Sequence, residues 1–348
     1  MNLSILPKEV INIIYEYVIY VPESREDLKI LVDLWISDKK KIYKRYGNIS
    51  SWDTRKVTDM SYLFLKKNSF NGVISSWNTS NVTDMNNMFC NAESFNQSLN
   101  KWDVSKVTNM KEMFAGAYFF NKPLNNWNVS NVKDMSCMFY YTDVFNQPLN
   151  KWNVSSVEKM NFMFAHAVLF NQDINCWDIS NVKNVGGMFI GAYKFNQPLD
   201  KWDVSNVKYM SCTFSDCILF NQPINNWNVH NVKTMYGTFG GAIKFNQPLN
   251  DWNVSNVTNM EYMFYRCYKF KQPLNKWDVS NVKENKDMFS GKNLLNYKKV
   301  TIFGIFSWIF NYKYYSEKPS SFTFGLLHGT ARIVMEILSW PKGWCFHL

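Results

Sequence analysis

Tryptophan occupies positions 52, 77, 102, 127, 152, 177, 202, 227, 252 and 277, ten times at a spacing of 25 with no insertion. Phe64 through Phe289 and Val57 through Val282 keep the same step. A period of about 20–29 residues that never slips is the mark of a solenoid in which each repeat makes one coil and contacts only its neighbours. A single copy has too few apolar side chains to offset the entropy of ordering its 25 residues. Stacking covers both faces of every internal coil, so the copies fold together. Coils stacked like parallel strands, about 4.8 Å apart, give an array on the order of 45–50 Å long.

Two periodicities follow one another inside a repeat. In the third copy, Leu99, Trp102 and Val104 alternate with polar residues as a short strand with one buried face would. Val107, Met110, Met113, Phe114 and Ala117 then recur at steps of three and four, which predicts a short α or 3₁₀ helix that Ser105 or Thr108 would cap. Pro123 cannot continue that helix and marks the turn back to the next strand. The expected fold class is therefore an α/β repeat solenoid with short parallel strands and short helices. Aligned Trp, Phe and Met are expected to form ladders through its core. Asn71, Asn96, Asn121, Asn146, Asn171, Asn196, Asn221 and Asn246 make another row, ended by Lys271, which suits an asparagine ladder satisfying the backbone of adjacent coils.

The phrase FNQPLNxWxVSNVxxMxxMFxxA resembles the 25- to 26-residue repeat of BspA-like leucine-rich-repeat proteins, known from bacterial surfaces and also from amoebal organisms and their large DNA viruses. The resemblance covers residues 48–295 and implies a right-handed, leucine-rich-repeat-like solenoid that binds another protein and has no enzymatic activity. A surface adhesion protein is the alternative that the bacterial members suggest. No secretion signal or lipidation cysteine opens the chain, so the expected location is cytoplasmic, in a host cytoplasm if the protein is viral.

The ends read differently. Residues 1–47 form a helical segment: Leu6, Pro7, Val10 and Ile14, followed by Leu28, Leu31 and Trp35, resemble the start of an F-box. That resemblance implies docking to a Skp-type adaptor through Leu6, Pro7, Val10 and Ile14, and a substrate receptor of a cullin ubiquitin ligase. The other reading is a helical cap on the first coil. Residues 296–348 are expected to form a C-terminal cap. The apolar run 300–310 within them is too short to cross a bilayer, which needs about 20 residues, and burial over the last coil is preferred to contact with a membrane surface.

Charge and chemistry narrow the function. The net charge is +10, but residues 1–47 contribute +1, residues 48–290 +4 and residues 291–348 +5, so the repeats make a poor nucleic-acid groove. The seven cysteines show no paired spacing, and Cys217 and Cys267 stand where other copies carry Ala, as small core residues do. Neither the four histidines nor any Gly-rich loop, GxSxG or HExxH pattern points to catalysis, and no metal or cofactor is expected. Asp53, Asp103, Asp178, Asp203 and Asp278 alternate with Asn in one column, too few carboxylates for a calcium ladder. Lys133, Lys183, Lys208, Lys233 and Lys283 make a modest basic stripe, read as a solvated face.

With strand and core columns nearly constant, diversity concentrates in two others. One holds Lys111, Ser136, Asn161, Ser211, Tyr236 and Glu261; the second holds Gly116, Tyr141, His166, Asp216 and Arg266. Partner specificity is expected there, on the helical side, with Lys111, Tyr141, His166, Asp216, Tyr236, Glu261 and Arg266 as candidate contacts.

Overall fold

The computed structural model describes residues 21–290. Adaptor-docking candidates Leu6, Pro7, Val10 and Ile14, and every expectation for residues 296–348, including the 300–310 run, lie outside the described residues.

Helix α1 (Arg25–Ser37) starts at Ser24, whose hydroxyl accepts from the Asp27 N–H at 3.1 Å. Helix α2 (Lys39–Tyr46) follows Asp38, which caps it, and ends at Gly47, where φ is +70°. Leu28, Leu31, Val32 and Trp35 face inward at steps of three and four, and Trp35 meets Trp52 of the first coil edge-on at 5.9 Å. Arg25 Nε donates to the Ser61 carbonyl at 3.0 Å, and Lys67 pairs with Asp33 at 2.8 Å. Leu28, Leu31 and Trp35 are buried as a lid on the stack.

Ten coils follow, numbered here by their tryptophans, and they contain neither the strand nor the helix that the spacing suggests. Among the described residues the coils hold single parallel bridges, such as Asn109 to Asp134, and one 3₁₀ turn, Ile49–Ser51, at the start of the first coil. These bridges fall on the residue after Val-x, not on the Trp-x-Val segment. From there the chain runs as a ribbon of turns. In coil 3, the N–H groups of Met113, Ala115, Ala117 and Phe120 bond to the carbonyls three residues back, those of Met110, Glu112, Phe114 and Ala117, at 3.0–3.2 Å. The alternating N–H groups of Met110, Glu112, Phe114 and Gly116 bond to the next coil, at Asp134, Ser136, Met138 and Tyr140. Half the donors thus close turns and half tie coils together, leaving few backbone groups to satisfy.

The third residue of two turns per coil is left-handed: φ is +56° at Glu112 and +69° at Gly116, and the same sign recurs every 25 residues. That is where a type II turn requires positive φ. Apolar residues at i and i+3 meet across such turns as they do on a helix, so the apolar spacing alone cannot distinguish the two.

The ladders form as expected. The Phe64 column stacks at 5.2–5.9 Å between ring centroids. Spacings wider than a face-to-face contact mean offset stacking, the favourable arrangement for parallel rings. Each Trp indole N–H donates to a backbone carbonyl at 2.8–3.1 Å, from Trp77 onward that of the Leu or Ile 28 residues earlier. The asparagine row is a ladder as well: Asn171 Oδ1 accepts from the Asn196 N–H at 2.9 Å and from Gln197 Nε2 at 3.1 Å. Its amide acts as an acceptor and donates no hydrogen bond among the described residues, which is narrower than the two-way role its chemistry allows. Lys271 can close the row because Asn246 Oδ1 takes only its backbone N–H, at 2.8 Å, and the side-chain amide comes from Gln272, at 3.3 Å.

Candidate interaction surface

Turn geometry decides which residues face out. In the ribbon of coil 3, Met110, Met113, Phe114 and Ala117 are buried in the core. Lys111 is exposed and Glu112 half-buried between them, whereas Ala115 and Gly116 are buried. A corner, Tyr118 and Phe119, follows before Phe120 returns to the core.

The predicted contacts divide between these places. Lys111, Tyr236 and Glu261 sit at the start of the ribbon, where an Asn or Thr two residues earlier accepts their backbone N–H in a side-chain-closed turn. Lys111 pairs with Glu112 at 3.4 Å, Glu261 accepts from Asn259 at 3.4 Å, and Tyr236 meets Tyr262 edge-on at 5.6 Å. Tyr141, His166, Asp216 and Arg266 lie in the second left-handed column, and there the coils interlock. The Tyr141 and His166 rings stack at 4.3 Å and 7°. His166 lies over Gly191, where a Cβ would come within 2.5 Å of Nδ1; Asp216 lies over Gly241, where a Cβ would fall 2.0 Å from Oδ1. Both glycines also have positive φ, +66° and +71°. Each accommodates the side chain of the coil before it.

Burial sets the electrostatics of this column. It holds His166 down at about 4, a neutral ring, and pushes Asp216 up to about 6 against the opposing pull of Arg266. Burial also raises Asp143, whose Oδ1 is shielded from solvent without a hydrogen-bond partner. His166 and Asp216 are therefore more embedded than an outward-facing column would make them. Tyr141 and Arg266 remain exposed.

Sequence reasoning missed the corner. Phe119, Leu169 and Leu219 are 61%, 42% and 38% exposed, unusual for large apolar side chains in one column. The signal was present: between the constant small residue at 117, 142, 167, 192, 217 and 242 and the constant Phe three residues on, the two intervening positions vary freely.

Other columns are occupied by structure. Asp103 Oδ1 accepts the Ser105 N–H at 3.0 Å and Asn128 that of Ser130 at 3.2 Å, so Asp and Asn alternate because either closes the same turn. The Ser105 hydrogen bonds hold Asp103 below the usual carboxylate range. Cys217 is buried, with its thiol within hydrogen-bonding reach of the Ala192 carbonyl at 3.3 Å and its pKa raised by burial. Among the described residues no cluster of three or more His, Cys, Asp or Glu could hold a metal, and no helix is long and apolar enough to cross a membrane.

These features define a repeat solenoid whose inner columns are spent on stacking and whose variable side chains gather on one ribbon and its corner. The chain belongs to the family described as Mycoplasma protein of unknown function, DUF285, which matches residues 37–143, 123–218 and 197–302 in tandem. No curated protein matches it.

Proposed function

We propose that this protein is a non-enzymatic scaffold that binds another protein through its variable ribbon. The observation that carries this reading is the division of labour among columns. Trp, Phe, Met, Val and Asn positions are committed to the core or to ladders, and the remaining diversity lies on one continuous surface. BspA-like kinship and right-handed winding belong to the same reading, supported by the tandem period. The six cysteines among the described residues are free, four of them buried, which fits a reducing compartment such as cytoplasm.

Proximity labelling in the native cell, repeated with Tyr141→Ala and Arg266→Glu together, tests the proposal. A specific set of neighbouring proteins that the double variant loses is expected. Labelling that matches an inert control protein would overturn the scaffold reading.

A further inference from the structure

The net charge of +1 over residues 1–47 conceals a separation. Five cations, Lys39, Lys40, Lys41, Lys44 and Arg45, fall in helix α2, and every carboxylate of that segment precedes it. Asp38, the nearest in sequence, caps the helix and accepts the Lys41 N–H at 3.1 Å. Ile42 is buried and Tyr46 packs against the core, so the helix is pinned by one side and all five cations are exposed. Among the described residues none of the five forms an ion pair with a carboxylate. Arg25, Lys29, Lys56 and Lys67, by contrast, each have an acidic partner. Lys39, Lys40, Tyr43 and Lys44 line a shallow hollow on α2. Tyr43 is 48% exposed, and Lys39 Nζ stands 5.2 Å from the centre of the Trp35 ring. Five like charges along about 12 Å of helix repel one another, and a bound anion relieves that repulsion.

We propose that α2 is a docking site for an acidic segment of a partner protein, about four to six residues long, carrying carboxylates and an apolar or aromatic side chain. The carboxylates lie against Lys40 and Lys44, one helical turn apart, and the apolar side chain covers Tyr43. Two other anionic surfaces fit less well. A nucleic-acid backbone calls for a longer basic track, and residues 48–290 carry only +4. An anionic bilayer would have to take up the exposed Ile30 and Leu34 of α1, and Glu26, Asp27 and Asp33 lie one turn from Ile30, where they would meet its headgroups. The site is separate from the variable ribbon and goes beyond the scaffold reading, since either surface can bind without the other.

The test is fluorescence anisotropy of the full chain with a labelled peptide, Glu-Glu-Phe-Glu-Glu-Phe, on variants whose folding is checked by thermal melting. The peptide is expected to bind, and its analogue with Lys in place of Glu is not. Affinity should fall about tenfold or more with Lys40→Glu and Lys44→Glu together, equivalent to about 1.4 kcal/mol. It should fall likewise when salt is raised from about 0.05 to 0.5 M, because exposed charges are screened. Tyr43→Ser should weaken this peptide but not one with Ser in place of Phe. Should the charge reversals not fold, Lys40→Gln with Lys44→Gln keeps good helix formers and should still weaken binding about threefold. An equal loss with Lys208→Glu and Lys233→Glu, exposed lysines of coils 7 and 8, would overturn the site by showing general charge attraction. Tighter binding of an oligothymidylate or of phosphatidylserine vesicles through Lys40 and Lys44 would overturn the acidic-protein assignment. So would peptide binding seen only after residues 1–20 are removed, or sedimentation showing a dimer that Lys40→Glu dissolves. Failure of the peptide to bind, while proximity labelling still loses partners with Tyr141→Ala and Arg266→Glu, would overturn this site and leave the scaffold reading standing.

Discussion

The asparagine ladder makes a demand that distinguishes it from ordinary polar surface. Asn171 Oδ1 takes the Asn196 N–H at 2.9 Å and Gln197 Nε2 at 3.1 Å, while its own amide donates to nothing among the described residues. Asn171→Ala leaves a half-buried N–H without an acceptor, a loss of about 1–3 kcal/mol. Gln197 keeps its bond to the Asn171 carbonyl at 3.1 Å and adds little to that loss, so about 2 kcal/mol is expected. Asn171→Asp preserves the acceptor with a charged oxygen and should cost less than about 1 kcal/mol at pH 7. Urea unfolding measures the total, and hydrogen exchange at the Asn196 amide locates it, a useful pairing because repeat arrays need not unfold in one step. Should Asp prove as damaging as Ala, the ladder depends on amide donation and the acceptor-only account is wrong.

The remaining predictions concern the interlocked column and the core. Gly241→Ala should lower the thermal midpoint by an amount equivalent to about 1–3 kcal/mol, through both its φ of +71° and the approach of Asp216; Asp216→Ala in the same chain should recover only the second part. Cys217→Ala should change stability by less than about 1 kcal/mol in the same assay, since Ala already fills this position in other coils; a larger loss would mean the thiol is more than filler.

The pH dependence should show two opposing groups. Burial lowers His166 from 6.5 to about 4, so between those values the unfolded chain binds more protons and stability rises with pH. Asp216 is raised from 3.8 to about 6, with Asp143 shifted the same way, so across that window the folded chain holds more protons and stability falls with pH. His166→Gln should therefore make the slope of unfolding free energy between pH 4 and 6 more negative than in the wild type, and Asp216→Asn more positive. Unchanged slopes in urea titrations of both variants would contradict the burial described.

How far the sequence could be read depended on what each pattern discriminates. Trp102, Phe114, Val107 and Asn121 announce the period, the core and one ladder, because an exact repeat of 25 leaves each residue stacked on its own kind. The helix expected over Val107 to Ala117 is a ribbon of turns, since steps of three and four describe tandem turns as well as they describe a helix. What separates the two is backbone handedness, and its trace lay in Gly187, Gly191, Gly237 and Gly241, spaced by four within coils and by 50 between them. Glycines at those positions would weaken a helix but suit positive φ. The inward face of Leu28, Leu31 and Trp35 was equally visible as a buried face. What covers it depends on the first coil and on Arg25 reaching Ser61, which no local pattern encodes.

The most direct test of the account, that stacking occupies the constant columns and binding uses the variable ribbon and its corner, is hydroxyl-radical labelling of side chains in the full chain, with and without a partner recovered by proximity labelling. Phe119, Tyr141, Leu169 and Leu219 should lose reactivity on binding, while exposed Tyr209, on the bridge column, should keep it. Protection of Tyr209 with no change at Phe119, Leu169 and Leu219 would place recognition on the bridge column and contradict the account.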